Sequence, residues 1–130
     1  MCSQAVLIAY ADQFGVDRQT ALRISAAFGG GMGRMGEVCG AVTGAFMVIG
    51  LEYGRIKVQD IKSHENTNRL VREFVAKFKS INRSIMCREL LECDLSTPEG
   101  QKAFIERKLR ETLCTKFVRD AAEIVGGLLV

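Results

Sequence analysis

A chain of 130 residues with 48% hydrophobic and 25% charged side chains fits one globular domain and is too apolar for a disordered one. Its net charge of +3, with no run of five basic residues, gives no footing for a nucleic-acid interface. The longest uncharged stretch, from Val38 to Leu51, is too short to span a bilayer, and no basic leader opens the chain, so a cytoplasmic protein is expected.

The periodicity then predicts helix after helix. Residues 3–14 place Ala5, Val6, Ala9 and Gln13 or Phe14 on one side, with Gly15 as terminator. Asp17 is a natural N-cap for a second helix, in which Ala21, Ile24, Ser25 and Phe28 recur at helical steps. The glycine run 29–33 stops it, because glycine tolerates positive φ. A long helix is predicted from Glu37 to about Tyr53, where Gly40 and Gly44 stand four apart beside Ala41 and Ala45. Small residues at that spacing admit a second helix closely, and the all-round apolar character makes this helix the buried centre. Each internal glycine costs roughly 1 kcal/mol against alanine, which close packing must offset.

After a polar connection over 55–63, an amphipathic helix carries the stripe Leu70, Val71, Phe74, Val75, Phe78 and Ile81. A short helix holds Cys87 and Cys93. Ser96 or Thr97, followed by Pro98, opens a helix running to about residue 113. The last helix, about 114–125, shows Cys114, Phe117, Val118, Ala121 and Val125 on one face and ends at Gly126-Gly127. No alternating pattern exceeds four residues. The expected fold is all-α: one compact domain over 1–130, a bundle of about five to six helices around a glycine- and alanine-rich centre.

Residues 31–36 spell a literal G-x-G-x-x-G. A dinucleotide fingerprint needs a strand before the glycines and an acidic residue at the end of a second strand. Here a helix precedes them and no strand follows, and no G-K-[ST] completes a phosphate loop. The glycines therefore make a turn between helices. Such a turn can aim backbone amides at Cys39, in a first helical turn whose dipole favours a thiolate. Equally, it can be a tight connection beside a buried, inert thiol.

The five cysteines are Cys2, Cys39, Cys87, Cys93 and Cys114. An odd number with no C-x-x-C argues against a disulfide framework, a zinc ribbon, a thioredoxin motif and c-type haem attachment. Any shared cysteine site is assembled from distant parts of the chain. The only histidine, His64, lies in a polar "KSHENTN" segment and reads as a surface residue at a helix start. Glu37 reads as helix-terminal charge, Arg34 as solvent-facing, and Met32 and Met35 as gap-filling core.

"CSQAVLIAYADQFG" at 2–15, "FGGGMGRMGEVCGAVTGA" at 28–45, "CRELLECDLSTPEG" at 87–100 and "CTKFVRDAAEIV" at 114–125 together resemble the bacterial family of putative redox-active proteins named for a C…CGAxxG…C…C pattern. The resemblance runs in order over essentially the whole chain, with Cys39-Gly40-Ala41-Val42-Thr43-Gly44 as its core. It implies that the family's four cysteines fall on Cys2, Cys39, Cys87 and Cys114, with Cys93 an extra thiol or alternative ligand. Gly36, Gly40 and Gly44 would shape the site. An iron–sulfur cluster, or another metal ion such as zinc, held by four thiolates is the implied cofactor. The implied role is electron transfer or metal handling beside a partner oxidoreductase or transporter. Metal-free thiol–disulfide exchange and a structural module with incidental cysteines are the alternatives. Family members usually begin further upstream, some with an export signal, which leaves room for a segment before Met1.

Overall fold

The computed structural model describes residues 1–129. Seven α-helices follow one another: α1 (Cys2–Ala11), α2 (Arg18–Ser25), α3 (Gly40–Tyr53), α4 (Ile61–Asn82), α5 (Cys87–Leu91), α6 (Pro98–Glu106) and α7 (Thr115–Leu128). Single 3₁₀ turns extend α1 and α2, and a π-helical turn, Arg110–Cys114, leads into α7. The architecture is all-α, with more helices than the sequence pattern separates. No described helix is long and apolar enough to cross a membrane.

The helix starts follow local chemistry. Asp17 caps α2 by accepting from the Thr20 amide at 2.9 Å, and Asp60 caps α4 through the Ser63 amide at 3.0 Å. Thr97 accepts from the Gly100 amide at 3.0 Å, with Pro98 in the first turn of α6. Helix α3 is the centre of the molecule: Ala41, Val42, Ala45, Val48 and Ile49 have no solvent exposure. Helix α1 crosses it at Gly44, where a Cβ would stand 2.8 Å from the Ser3 carbonyl oxygen. The helical cost of that glycine is offset by backbone approach, as its spacing predicts.

Helix α4 buries Leu70, Phe74 and Phe78. Phe46 meets Phe74 edge-on at 5.8 Å, Phe74 stacks on Phe78 at 5.9 Å, and Phe78 tilts against Phe117 at 6.3 Å. This aromatic series joins α3, α4 and α7. Lys116 Nζ donates to Asn82 Oδ1 at 2.8 Å and to Asp120 at 2.7 Å, tying the end of α4 to α7. The Tyr10 hydroxyl donates to the Ala122 carbonyl at 2.7 Å and fixes α1 to α7. Tyr10→Phe is expected to lower stability by about 1 kcal/mol, the net worth of one such bond, in urea unfolding monitored by circular dichroism.

Several elements depart from the periodic reading. Helix α3 begins at Gly40, not Glu37, because Val38 pairs with Met86 in an isolated antiparallel bridge. The helix expected over 96–113 breaks after Glu106, where Lys108 takes a left-handed φ of 52°. Helix α7 runs through Gly126-Gly127 to Leu128, since a bare Cα at Gly126 leaves room for the Tyr10 hydroxyl. In α1 the buried residues are Ser3, Val6, Leu7 and Ala11, while Ala5 and Ala9 are exposed. Buried Ser3 donates to the Ser25 carbonyl at 2.8 Å, so a hydroxyl occupies a core position. Ile24 and Ile81 end their stripes on the surface, and Met35 is exposed rather than core-filling.

Candidate functional site: a four-cysteine cavity

Each of the four motif cysteines stands at a helix boundary. Cys2 begins α1, Cys39 is the N-cap of α3, Cys87 begins α5, and Cys114 ends the π turn that enters α7. All four line a single cavity of about 510 Å³. None is in a disulfide. Cys39 and Cys87 are buried, whereas Cys2 and Cys114 are half-buried.

Backbone geometry brings Cys39 and Cys87 together. Residues 36–39 lie beside 85–88, joined at the Val38–Met86 bridge: the Cys39 amide donates to the Ile85 carbonyl at 2.8 Å, and the Cys87 amide donates to the Glu37 carbonyl. The Arg88 amide donates to the Gly36 carbonyl at 3.2 Å. Two cysteines 48 positions apart are thus set on paired backbones. The glycine loop makes room for this pairing. Gly31 has φ +64°, and a Cβ there would stand 2.6 Å from the Cys87 Cβ and 2.7 Å from the Glu37 carbonyl oxygen. Gly36, left-handed at φ +73°, turns the chain into the paired segment. Gly40 does the same for Cys2, since its Cβ would meet the Ser3 amide at 3.0 Å and the Cys2 Cβ at 3.3 Å. Of the three glycines named from the resemblance, Gly40 approaches Cys2 closely, Gly36 acts through its turn, and Gly44 packs α3 against α1.

The loop does not aim its amides at Cys39. Gly33 donates to Ala27, Met35 to Met32 and Gly36 to Gly30, each at 2.9–3.1 Å, so its amides satisfy its own carbonyls. Instead the Ala41 and Val42 amides of α3 favour the Cys39 thiolate, and burial outweighs them, pushing the thiol up to about 12. Burial also lifts Cys87 to about 12, reinforced by the neighbouring Cys2 and Cys93. Cys2 behaves oppositely. A hydrogen bond from Cys114, helped by the N-terminal amine and the Arg110 guanidinium, lowers it from 9.0 to about 7. Cys114 holds its proton, driven up by that same bond and by burial. The site therefore pairs one thiol of lowered pKa with a proton-holding neighbour, facing two desolvated thiols.

This asymmetry has a pH signature. Alkylation of Cys2 is expected to rise through about pH 7, and Cys114→Ala removes the donor and moves the midpoint upward, as peptide mass spectrometry at graded pH would show. Because the folded state lowers this pKa, its stabilising contribution is complete above about pH 9 and disappears as the pH falls through about 7. A midpoint at the ordinary thiol value would contradict the Cys2–Cys114 coupling.

Other candidates fall outside the cavity. Cys93 lies beyond the end of α5, with its thiol raised chiefly by burial and pulled down by Arg107. Glu37 pairs with Arg88 at 3.5 Å instead of serving Cys39. His64 is exposed in the first turn of α4, with Nε2 at 3.4 Å from Asn68. Among the described residues no three histidine, cysteine or acidic side chains are gathered closely enough to hold a metal ion as they stand. Arg110 is a site residue the sequence reading missed, because "ERKLR" looks like a solvated helix face. Its side chain is exposed, yet it lines the cavity beside Cys2.

No curated protein and no solved structure gives a match to this chain. A family model does: the one described as "Putative redox-active protein (C_GCAxxG_C_C)" covers residues 1–128. The label writes its glycine before the second cysteine, where this chain has Cys39-Gly40-Ala41-Val42-Thr43-Gly44. Four cysteines in family order around a glycine–alanine motif, folded onto one cavity, carry the same message as that match. The chain belongs to the C_GCAxxG_C_C family, whose members are described as putative redox-active proteins.

Proposed function

We propose that Cys2, Cys39, Cys87 and Cys114 are the ligands of a thiophilic redox centre, an iron–sulfur cluster in preference to a single zinc ion. The protein would then serve electron transfer or metal handling with a partner oxidoreductase or transporter. The supporting observation is convergence: four thiols from separate parts of the chain share the wall of one cavity. Soft thiolate donors suit iron–sulfur clusters and zinc alike, and the family's redox label favours an iron–sulfur centre over redox-inert zinc. When bound, such a cluster supplies one-electron chemistry tuned by hydrogen bonds and charge around its sulfurs.

The chain's own residues prepare for this. Cys39 and Cys87 keep their protons through burial and release them when a cation enters, which makes uptake steeply pH-dependent. Cys2 is poised to ligate first, near neutral pH. Arg110 offsets the negative charge that accumulates on the sulfurs. Five unpaired thiols are in keeping with a reducing compartment such as the cytoplasm.

A second reading rests on Cys2 and Cys114 sharing one cavity wall and on a Cys2 thiol lowered toward neutrality, the optimum for exchange. The Cys2 thiolate attacks a partner disulfide, forming a mixed disulfide and expelling one partner thiolate. Cys114 then loses its proton and attacks the Cys2 sulfur, expelling the second. The partner gains two electrons, and a Cys2–Cys114 disulfide remains.

Counting reactive thiols in anaerobically purified protein separates the readings. A ligated centre leaves only Cys93 reactive until chelator frees the rest. The dithiol reading instead predicts Cys2, Cys93 and Cys114 reactive without chelator, with Cys2 and Cys114 lost together on mild oxidation, while buried Cys39 and Cys87 react only on unfolding. Cys2 and Cys114 reactive without chelator and unchanged by oxidation would sink both.

A further inference from the structure

The cavity holds more than its sulfurs. Helix α6 contributes Gln101, Phe104 and Ile105 to the wall but no cysteine, and Leu95 and Phe117 continue that apolar side. A volume of about 510 Å³ falls within the roughly 300–1,000 Å³ of small-molecule sites, and the apolar lining is typical of them. The charge on it has one sign. Arg34 and Arg110 are its only ionised side chains outside the thiols, and no aspartate or glutamate lines it. Both arginines are exposed, and neither forms an ion pair among the described residues.

The backbone around Arg34 adds a second observation. Arg34 takes a left-handed φ of +66°, between the left-handed Gly33 and Gly36. Side chains disfavour that conformation, and it persists where surrounding structure imposes it, often at binding sites. Arg34 forms part of the cavity wall, as does Arg110 on the π turn that enters α7. A π turn is likewise uncommon and concentrates at functional sites.

We propose that this cavity binds an apolar organic anion, with its acidic group at the mouth on Arg34 and Arg110 and its body against Leu95, Phe104 and Phe117. Charge and shape agree on this class: two unpaired guanidiniums select an acid, and the apolar wall selects a hydrocarbon or aromatic body over a free inorganic anion. A ligand so held lies beside Cys2. The inference rests on the cavity and its arginines, whether the thiols hold a metal or work as a dithiol.

The test is a fluorescence titration of the anaerobically purified, reduced protein with anilinonaphthalene sulfonate, followed by competition with decanoate and with decanol. One probe per chain is expected, displaced by decanoate at least about tenfold more effectively than by decanol. Combining Arg34→Gln with Arg110→Gln weakens probe binding by about tenfold or more, while Arg119→Gln, outside the cavity, leaves it unchanged. Circular dichroism confirms that the exposed-site variants keep their fold. Non-saturable probe binding, equal displacement by the acid and the alcohol, or full affinity in the double variant would overturn the proposal.

Discussion

Gly31→Ala is expected to cost about 2–4 kcal/mol of stability and to displace Cys87, whereas Gly33→Ala, two residues along the same loop, costs only about 1 kcal/mol. Both glycines are left-handed, at φ +64° and +54°, so both substitutions carry backbone strain. Only Gly31 also faces occupied space: its Cβ would press on the Cys87 Cβ and on the Glu37 carbonyl, while nothing lies within 4 Å of the corresponding position at Gly33. The Glu37 carbonyl is also the acceptor for the Cys87 amide, so relieving the clash opens the 36–39/85–88 pairing. Urea unfolding of both variants, with the alkylation rate of Cys87 measured alongside, checks the claim. Equal costs at the two positions would show that the loop merely turns and does not seat a cysteine.

Parts of this arrangement are written plainly in the chain. Asp17, Thr97 and Pro98 mark helix starts because a capping oxygen and a preset φ act within three residues. Gly40 and Gly44 announce a close crossing because an apolar helix has no other use for them, and Ser3 and Cys2 fill that space. The pairing of Val38 with Met86 leaves no such trace, since a single bridge is too short to impose alternation. The break at Lys108 is equally silent: a left-handed lysine has no compositional signature, so 96–113 reads as one helix. Nor does spacing alone say that Cys2 and Cys114, at opposite ends of the chain, line one cavity. Family resemblance grouped the four cysteines, and the fold supplies the physical reason for the grouping.

The proposed centre makes unequal demands on the five thiols. Cys39→Ala is expected to abolish stable metal retention, a loss exceeding the roughly 10–100-fold typical of outer partners. The chain should still fold, because removing one small buried sulfur costs about 1–3 kcal/mol. Cys93→Ser should retain metal at the wild-type level, since Cys93 lies outside the cavity. Metal content per folded chain, compared across the two variants, reads the difference. Retention in Cys39→Ala, or loss in Cys93→Ser, would redraw the ligand set.

The central claim is that these four thiols form one redox centre and not four isolated cysteines. Its most direct test is iron and acid-labile sulfide analysis of the wild-type protein after anaerobic purification, and again after reconstitution with iron and sulfide. The account predicts iron and sulfide in near-equal amounts, retained through gel filtration and lost in Cys39→Ala. Protein that retains neither, even after reconstitution, would contradict it.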